Sequence, residues 1–171
     1  MATPTPTPAT TSTSTTNARG PAIARVLGLP TSIGRDPKLD VFASLALFED
    51  LPRRRLRDLC AIFDLVDVEF GHELTTQGAL GQEFFVIVNG VASVERDGEV
   101  IGAVGPGEIV GELAVLDTPT RTATVTARTD MRVLVAERRA LAPLLGRMPI
   151  LARRVADIRA ARMMLLGVTA A

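Results

Sequence analysis

The sequence is poor in the residues on which many protein functions depend. Among its 171 residues are one cysteine, one histidine, no tryptophan and no tyrosine, and 19 acidic side chains balance 19 basic ones. A single cysteine excludes a disulfide within the chain and gives no support to secretion. A single histidine excludes a metal site built from two or more histidines. A net charge of zero gives no reason to expect binding to nucleic acid.

Long apolar runs and enzyme motifs are also absent from the sequence. No apolar segment approaches the roughly 20 residues that span a bilayer, and the N-terminus lacks the pattern of a signal peptide. No serine or cysteine lies in a recognisable nucleophile motif. Cys60 falls on an apolar helical stripe, which indicates a buried thiol, and His72 follows Gly71 in a predicted turn. We therefore expect a cytoplasmic protein that is not an enzyme and needs no metal or cofactor.

The first 38 residues differ in composition from the rest of the chain. Thr-Pro repeats and Ser/Thr alternation fill the first 20 residues, and prolines and glycines interrupt the remainder. Such a segment buries too little apolar surface to offset the entropy of ordering, so residues 1–38 are predicted to be a disordered tail and linker. Residues 39–171 are predicted to form one domain.

Periodic segments begin at residue 41. We expect a short helix over residues 41–47, then a second helix that Asp50 caps and that ends near residue 63. Short alternating or apolar runs with turn signals between them, among them Asn89-Gly90, predict a meander of strands. The segments predicted to be strands are 66–70, 83–88, 91–95, 99–104, 122–125 and 131–136. Many short strands at regular spacing favour a sandwich or a roll.

Two helices are predicted after the last strand, over residues 138–146 and from residue 149 to about residue 166. The longer one has apolar residues at three-four spacing, which pack either on the domain or against a second copy in a homodimer. The residues of this stripe are Met148, Leu151, Val155, Ile158 and Leu165, with Arg162 among them.

The most informative segment is residues 110–125. Gly111 lets the backbone approach a ligand closely, and the residues after it suit a short helix whose first N–H groups are free to bind an anion. The Arg121 guanidinium fits two phosphate oxygens, whereas a phosphate would repel Glu112, which suits a neutral donor such as a ribose hydroxyl. The alternative is an Arg–Glu ion pair on the surface of a β protein.

This segment resembles the phosphate-binding cassette of cyclic-nucleotide-binding domains, which occur in the catabolite activator family, kinase regulatory subunits and nucleotide-gated channels. The resemblance rests on Gly111-Glu112-Leu113-Ala114 followed by Arg121-Thr122-Ala123-Thr124-Val125, and on an upstream pattern of Leu74, Gly78, Gly81, Phe84-Phe85-Val86-Ile87 and Gly90. It covers about residues 40–167. Thr75 departs from it, since the family usually has an aliphatic residue there. The resemblance implies a mainly β fold: a double-stranded β-helix, or jelly-roll, barrel with short N-terminal helices, a cassette helix and C-terminal helices.

The resemblance also implies the roles of individual residues. Arg121 would pair with the cyclic phosphate and Glu112 would accept from the ribose 2′-hydroxyl, with Gly111 beside them. Backbone N–H groups near Leu113, Ala114 and Ala123 would complete the phosphate cradle. Thr122 would lie beside the arginine without deciding between cyclic AMP and cyclic GMP. Because all six phenylalanines precede the cassette, the base would be covered by residues of the last helix: Arg159, Arg162, Met163 or Leu166.

Two functional hypotheses follow. The first is a sensor that binds a cyclic nucleotide, with cyclic AMP favoured over cyclic GMP, and relays movement of its C-terminal helix to a separate protein effector. The second is a protein-interaction module that keeps the fold without sensing a nucleotide. No helix-turn-helix is expected after the last helix, so direct DNA binding is not expected.

Overall fold

The strands form two antiparallel sheets. The structure is a computed structural model that describes residues 37–112 and 120–165. The sheets have the strand orders β1-β8-β3-β6 and β2-β7-β4-β5. The strands are β1 (Phe63–Val68), β2 (Glu73–Thr75), β3 (Glu83–Asn89), β4 (Ala92–Arg96), β5 (Glu99–Val104), β6 (Ile109–Val110), β7 (Thr124–Ala127) and β8 (Met131–Glu137). The expected jelly-roll with flanking helices is confirmed, although in the described residues no strand pairing closes the two sheets into one barrel.

Helices precede and follow the sheets. They are α1 (Pro37–Ser44), a 3₁₀ helix (Ala46–Phe48), α2 (Arg53–Cys60), α3 (Arg138–Leu145) and α4 (Pro149–Leu165). Glu112 has helical geometry, and Leu113, Ala114 and Leu166 lie outside the described residues. Of the predicted tail and linker over residues 1–38, residues 1–36 also lie outside them, whereas Pro37 and Lys38 already belong to α1. None of the helices in the described ranges is long and apolar enough to cross a membrane.

The N-terminal helices differ from the prediction in their bounds. The first helix ends at Ser44 and is followed by the 3₁₀ helix, instead of running over residues 41–47. Asp50 does not cap α2, because the N-cap residue is Pro52 and Asp50 adopts a left-handed φ of 64°. Helix α2 ends at Cys60 rather than near residue 63, because Phe63 already belongs to β1.

Two predicted turns have different outcomes. Asp97 and Gly98 have φ values of 53° and 82°, and they join β4 to β5 as the expected hairpin turn. Asn89-Gly90 is not a hairpin turn, because β3 and β4 belong to different sheets and the chain crosses between them there. A Cβ at Gly90 would lie 2.6 Å from the Asp130 carbonyl oxygen, so this crossover needs glycine for close backbone packing.

The buried apolar residues form two clusters. One lies between the two sheets and includes Ile87, Val125 and Val133. The other joins the helices to the first sheet around edge-to-face pairs of phenylalanine rings and contains Met148, Leu151 and Val155. The apolar stripe of α4 is therefore covered by its own chain at these three positions, and homodimerisation through this helix stays a prediction.

Candidate functional site

A cavity of about 470 Å³ opens between the second sheet and α4. Its walls are mainly apolar, and its charged lining residues are Glu108, Glu112, Arg121 and Arg162. The apolar lining includes Val94, Ile101, Val104, Val125, Ile158 and Ala161. A volume of this size lies within the range of about 300–1,000 Å³ that is typical of small-molecule sites.

Arg121 is the most deeply buried cation of this cavity, with 6% of its surface exposed. Its Nη2 donates to the backbone carbonyl of Glu83 at 2.8 Å and to the carboxylate of Glu83 at 3.0 Å. The guanidinium lies between two glycines, because a Cβ at Gly81 would approach Nε to 1.7 Å and one at Gly111 would approach Nη1 to 2.4 Å. The missing side chains of Gly81 and Gly111 therefore make the space that Arg121 occupies.

The other terminal nitrogen of Arg121, Nη1, is not held by Glu83. Nη1 is buried, and none of the residues described here accepts a hydrogen bond from it. Burial lowers the pKa of the Arg121 guanidinium, while the carboxylates of Glu83 and Glu112 act in the opposite direction. An arginine keeps its proton at neutral pH even so, which leaves a buried cation with an unused donor at the cavity.

Glu112 is the second buried charge of the site, with 4% of its surface exposed. Its carboxylate accepts a hydrogen bond from Nη1 of Arg162 at 2.9 Å. Arg162 lies on α4, and its Nη2 is 3.9 Å from the carboxylate of Glu108. The last helix is thereby connected to the carboxylate that the sequence assigns to a sugar hydroxyl.

The other predicted site residues differ in whether they line the cavity. Thr122 is exposed, Ala123 is half-buried, and both line the cavity together with Gly111. Among the candidates for covering a base, Arg162 lines the cavity, whereas Arg159 and Met163 do not. Leu113, Ala114 and Leu166 lie outside the described residues.

Sequence reasoning missed several residues of the site. Ile158 and Ala161 line the cavity from α4, and helical spacing from Arg162 could have identified them, since they precede it by four residues and by one. Glu83 was missed because it is 38 residues from Arg121, and no local pattern connects the two. Within the described ranges, no group of three or more histidine, cysteine or acidic side chains could hold a metal ion.

The fold agrees with the comparisons to known proteins. The family model described as the cyclic nucleotide-binding domain matches residues 65–148. The N-terminal domain of a transcriptional regulator from Streptomyces coelicolor A3(2) superposes with a TM-score of 0.56 and 30% identity, covering 75% of this chain and 92% of that one. The chain belongs to the cyclic nucleotide-binding domain family.

Two curated relatives add detail at the level of sequence. The chain is similar to a cAMP-dependent protein kinase regulatory subunit of Mycosarcoma maydis, with 37% identity over 109 residues, 58% of this chain and 21% of the relative. It is also similar to the cGMP-dependent protein kinase egl-4 of Caenorhabditis elegans, with 38% identity over 68 residues, 40% of this chain and 9% of the relative. The chain thus spans about a fifth or less of either relative's length.

Proposed function

We propose that the chain binds a cyclic nucleotide in the cavity, with the phosphate at Arg121 and the ribose 2′-hydroxyl at Glu112. The observation that carries the proposal is the buried Nη1 of Arg121, which has no acceptor among the residues that the structure describes and lies in the same cavity as the buried carboxylate of Glu112. A buried donor without a partner costs free energy, and an anionic oxygen would remove that cost. The carboxylate needs a ligand group that donates, and a sugar hydroxyl next to a phosphodiester is one.

The apolar walls favour cyclic AMP over cyclic GMP in this proposal. The base would contact side chains such as Val94, Ile101 and Val104, which offer no hydrogen bonds. Guanine has more polar edge atoms than adenine, so its transfer into such surroundings costs more free energy. The relatives include both a cAMP-dependent and a cGMP-dependent protein, so this preference rests on the cavity rather than on the comparisons.

Helix α4 is the element through which binding would be signalled. The ion pair between Arg162 and Glu112 joins α4 to the sugar-binding carboxylate, so a ribose hydroxyl at Glu112 changes what Arg162 contacts. A ligand shifts a conformational equilibrium only through contacts that differ between the two states, and this contact is one of that kind. The function is regulatory and non-catalytic, and the movement of α4 is passed to a separate protein effector.

Calorimetric titration of the purified chain with four ligands tests the proposal. Cyclic AMP and cyclic GMP should each saturate one site per chain, with cyclic AMP binding more tightly. Adenosine, which lacks the phosphate, should bind at least tenfold more weakly than cyclic AMP, because a hydrogen bond to a charged group contributes about 1.5–3 kcal/mol. The linear nucleotide 5′-AMP serves as a control for phosphate charge alone. The absence of heat with both cyclic nucleotides would overturn the proposal and leave the non-sensing interaction module as the better hypothesis.

A further inference from the structure

The backbone around Arg121 is tied to the loop that follows β2. The N–H of Gly78 donates to the carbonyl of Arg121 at 2.9 Å, and the N–H of Arg121 donates to the carbonyl of Ala79 at 2.9 Å. These two bonds hold both the N–H and the carbonyl of Arg121. Neither bond involves Thr122 or Ala123, which connect Arg121 to β7.

Two threonine hydroxyls continue the connection beyond Arg121. Thr75 Oγ1 donates to the carbonyl of Ala123 at 3.0 Å, and Thr124 Oγ1 accepts from the N–H of Gln77 at 3.0 Å. Thr75 lies in β2 and bonds to the backbone just before β7, whereas Thr124 lies in β7 and bonds to the backbone just after β2. The same two segments are thus connected by one hydroxyl from each. Thr75 is 6% exposed and lines the cavity.

These hydroxyls act where the strand ladder is irregular. The β2–β7 register pairs Thr75 with Val125 and shifts between Glu73 and Thr75, while β7 itself begins at Thr124. Ala123 therefore lies just outside the strand, and the hydroxyl of Thr75 supplies a hydrogen bond to its carbonyl. Thr75 is also the position at which the sequence departs from the aliphatic residue usual in the resemblance.

We propose that Thr75 and Thr124 are positioning residues whose hydroxyls fix the backbone of residues 121–123 and thereby hold Arg121 and the Ala123 N–H for a phosphate. The ligand half of this inference rests on the proposed function. A binding group held in place before the ligand arrives loses less entropy on binding, so loss of a hydroxyl weakens affinity although neither threonine needs to touch the phosphate.

The test uses substitutions that remove a hydroxyl and keep the shape of the side chain. Thr75→Val and Thr124→Val should each weaken cyclic AMP binding about three- to tenfold, as expected for one lost hydrogen bond. Thr75→Ser retains the hydroxyl and should bind within twofold of the unmodified chain. Thr126→Val is the matched control on the same strand, because the Thr126 hydroxyl has no hydrogen bond to the residues that the structure describes, and its affinity should not change.

Amide hydrogen exchange of the unliganded variants separates positioning from a general loss of stability. Exchange at Gln77, whose N–H donates to Thr124, should accelerate in Thr124→Val, and exchange at Arg121, whose N–H donates to Ala79, should accelerate in Thr75→Val. The amides of β3 and β8 should keep their native rates. Unchanged affinity and unchanged exchange in Thr75→Val and Thr124→Val would overturn the inference. Losses of affinity in Thr126→Val and Thr75→Ser as large as those in the two test variants would also overturn it. If the unmodified chain binds no cyclic nucleotide, the proposed function fails. If it binds cyclic AMP, and Thr75→Val and Thr124→Val bind it equally well with unchanged exchange, only this inference is overturned.

Discussion

Arg121 is held firmly at the cavity by its surroundings. Its Nη2 donates twice to Glu83, its position is fixed between Gly81 and Gly111, and its buried Nη1 has no acceptor among the described residues. The ring of Phe85 lies 5.9 Å from the guanidinium carbon and adds a favourable cation–π contact. Within the part of the chain that the structure describes, Arg121 is therefore an immobilised cation with a terminal nitrogen left for an anionic acceptor.

Glu112 gives the first prediction at this scale. The unmodified chain should bind 2′-deoxy cyclic AMP roughly ten- to a hundredfold more weakly than cyclic AMP, because the hydroxyl's hydrogen bond to a buried carboxylate is lost. Glu112→Gln should reduce the ratio of the two dissociation constants, since the neutral amide gives a weaker hydrogen bond to the hydroxyl. Calorimetry with both ligands on both proteins measures the ratio, in which any general effect of the substitution cancels. Equal affinities for the two ligands in the unmodified chain would assign Glu112 another role.

At the residue scale, site residues can be predicted from the sequence where they belong to one short local pattern. Glu112 and Arg121 are nine positions apart in one recognisable segment, and both are buried at the cavity. The partners that hold them are remote: Glu83 lies 38 positions before Arg121, and Arg162 lies 50 positions after Glu112. Such pairings depend on how the sheets and α4 come together, which no local pattern contains.

Helix α4 has two parts with different roles. Its first half is part of the hydrophobic core through Leu151 and Val155, which are 2% and 1% exposed. Arg154 fastens the same half to the 3₁₀ helix by donating to the carbonyls of Ala46 and Leu47 and to the Asp50 carboxylate. The second half contacts the site through Arg162. We therefore expect any movement of α4 on ligand binding to occur at its C-terminal end.

The core role of α4 predicts a stability effect. Leu151→Ala should lower the free energy of unfolding by about 2–5 kcal/mol, because the change leaves a cavity in the buried cluster. The neighbouring Ile150 is 53% exposed, so Ile150→Ala is the matched control and should change stability much less. Urea denaturation followed by circular dichroism measures both. Equal losses in the two variants would contradict the packing of α4 described above.

The contact of α4 with the site predicts an effect on dynamics. In the unmodified chain, cyclic AMP should slow amide exchange in two places, the backbone around Arg121 and the C-terminal half of α4. Arg162→Gln should abolish the slowing in α4 while the slowing around Arg121 remains. Arg153→Gln is the control on the same helix, because the side chain of Arg153 is 85% exposed and, among the described residues, pairs only with Asp157 at 3.9 Å.

Protection that stays confined to the region of Arg121 in the unmodified chain would refute a role for α4 in signalling. The same result would leave the binding site itself intact. An identical loss of protection in Arg153→Gln and Arg162→Gln would instead attribute the effect to the helix as a whole rather than to the Arg162–Glu112 contact.

At the element scale, strands are predictable from the sequence where the local pattern determines them. The alternation and turn chemistry around Asp97-Gly98 specify the β4–β5 hairpin, and the apolar run from residue 83 specifies β3. The turn signal at Asn89-Gly90 is equally strong, yet the chain changes sheets there. A tight turn indicates a reversal of direction, but the partner of the next strand is decided by burial against remote strands.

The whole molecule places one polar site at the edge of an apolar cavity. The formal net charge is zero, so the overall field does little to attract an anionic ligand. Attraction must come from local groups, of which Arg121 is the buried cation facing a cavity that α4 covers with Ile158, Ala161 and Arg162. In the proposed function, binding therefore depends on the guanidinium of Arg121 contacting a phosphate.

The most direct measurement of that claim is calorimetric titration of Arg121→Gln with cyclic AMP, beside Arg128→Gln as the control. Arg128 directly follows β7, is exposed and donates to Ser93, and it does not line the cavity. Arg121→Gln should retain the native circular dichroism spectrum and lose roughly ten- to a hundredfold in affinity, whereas Arg128→Gln should bind like the unmodified chain. Equal affinity in a folded Arg121→Gln variant would contradict the account.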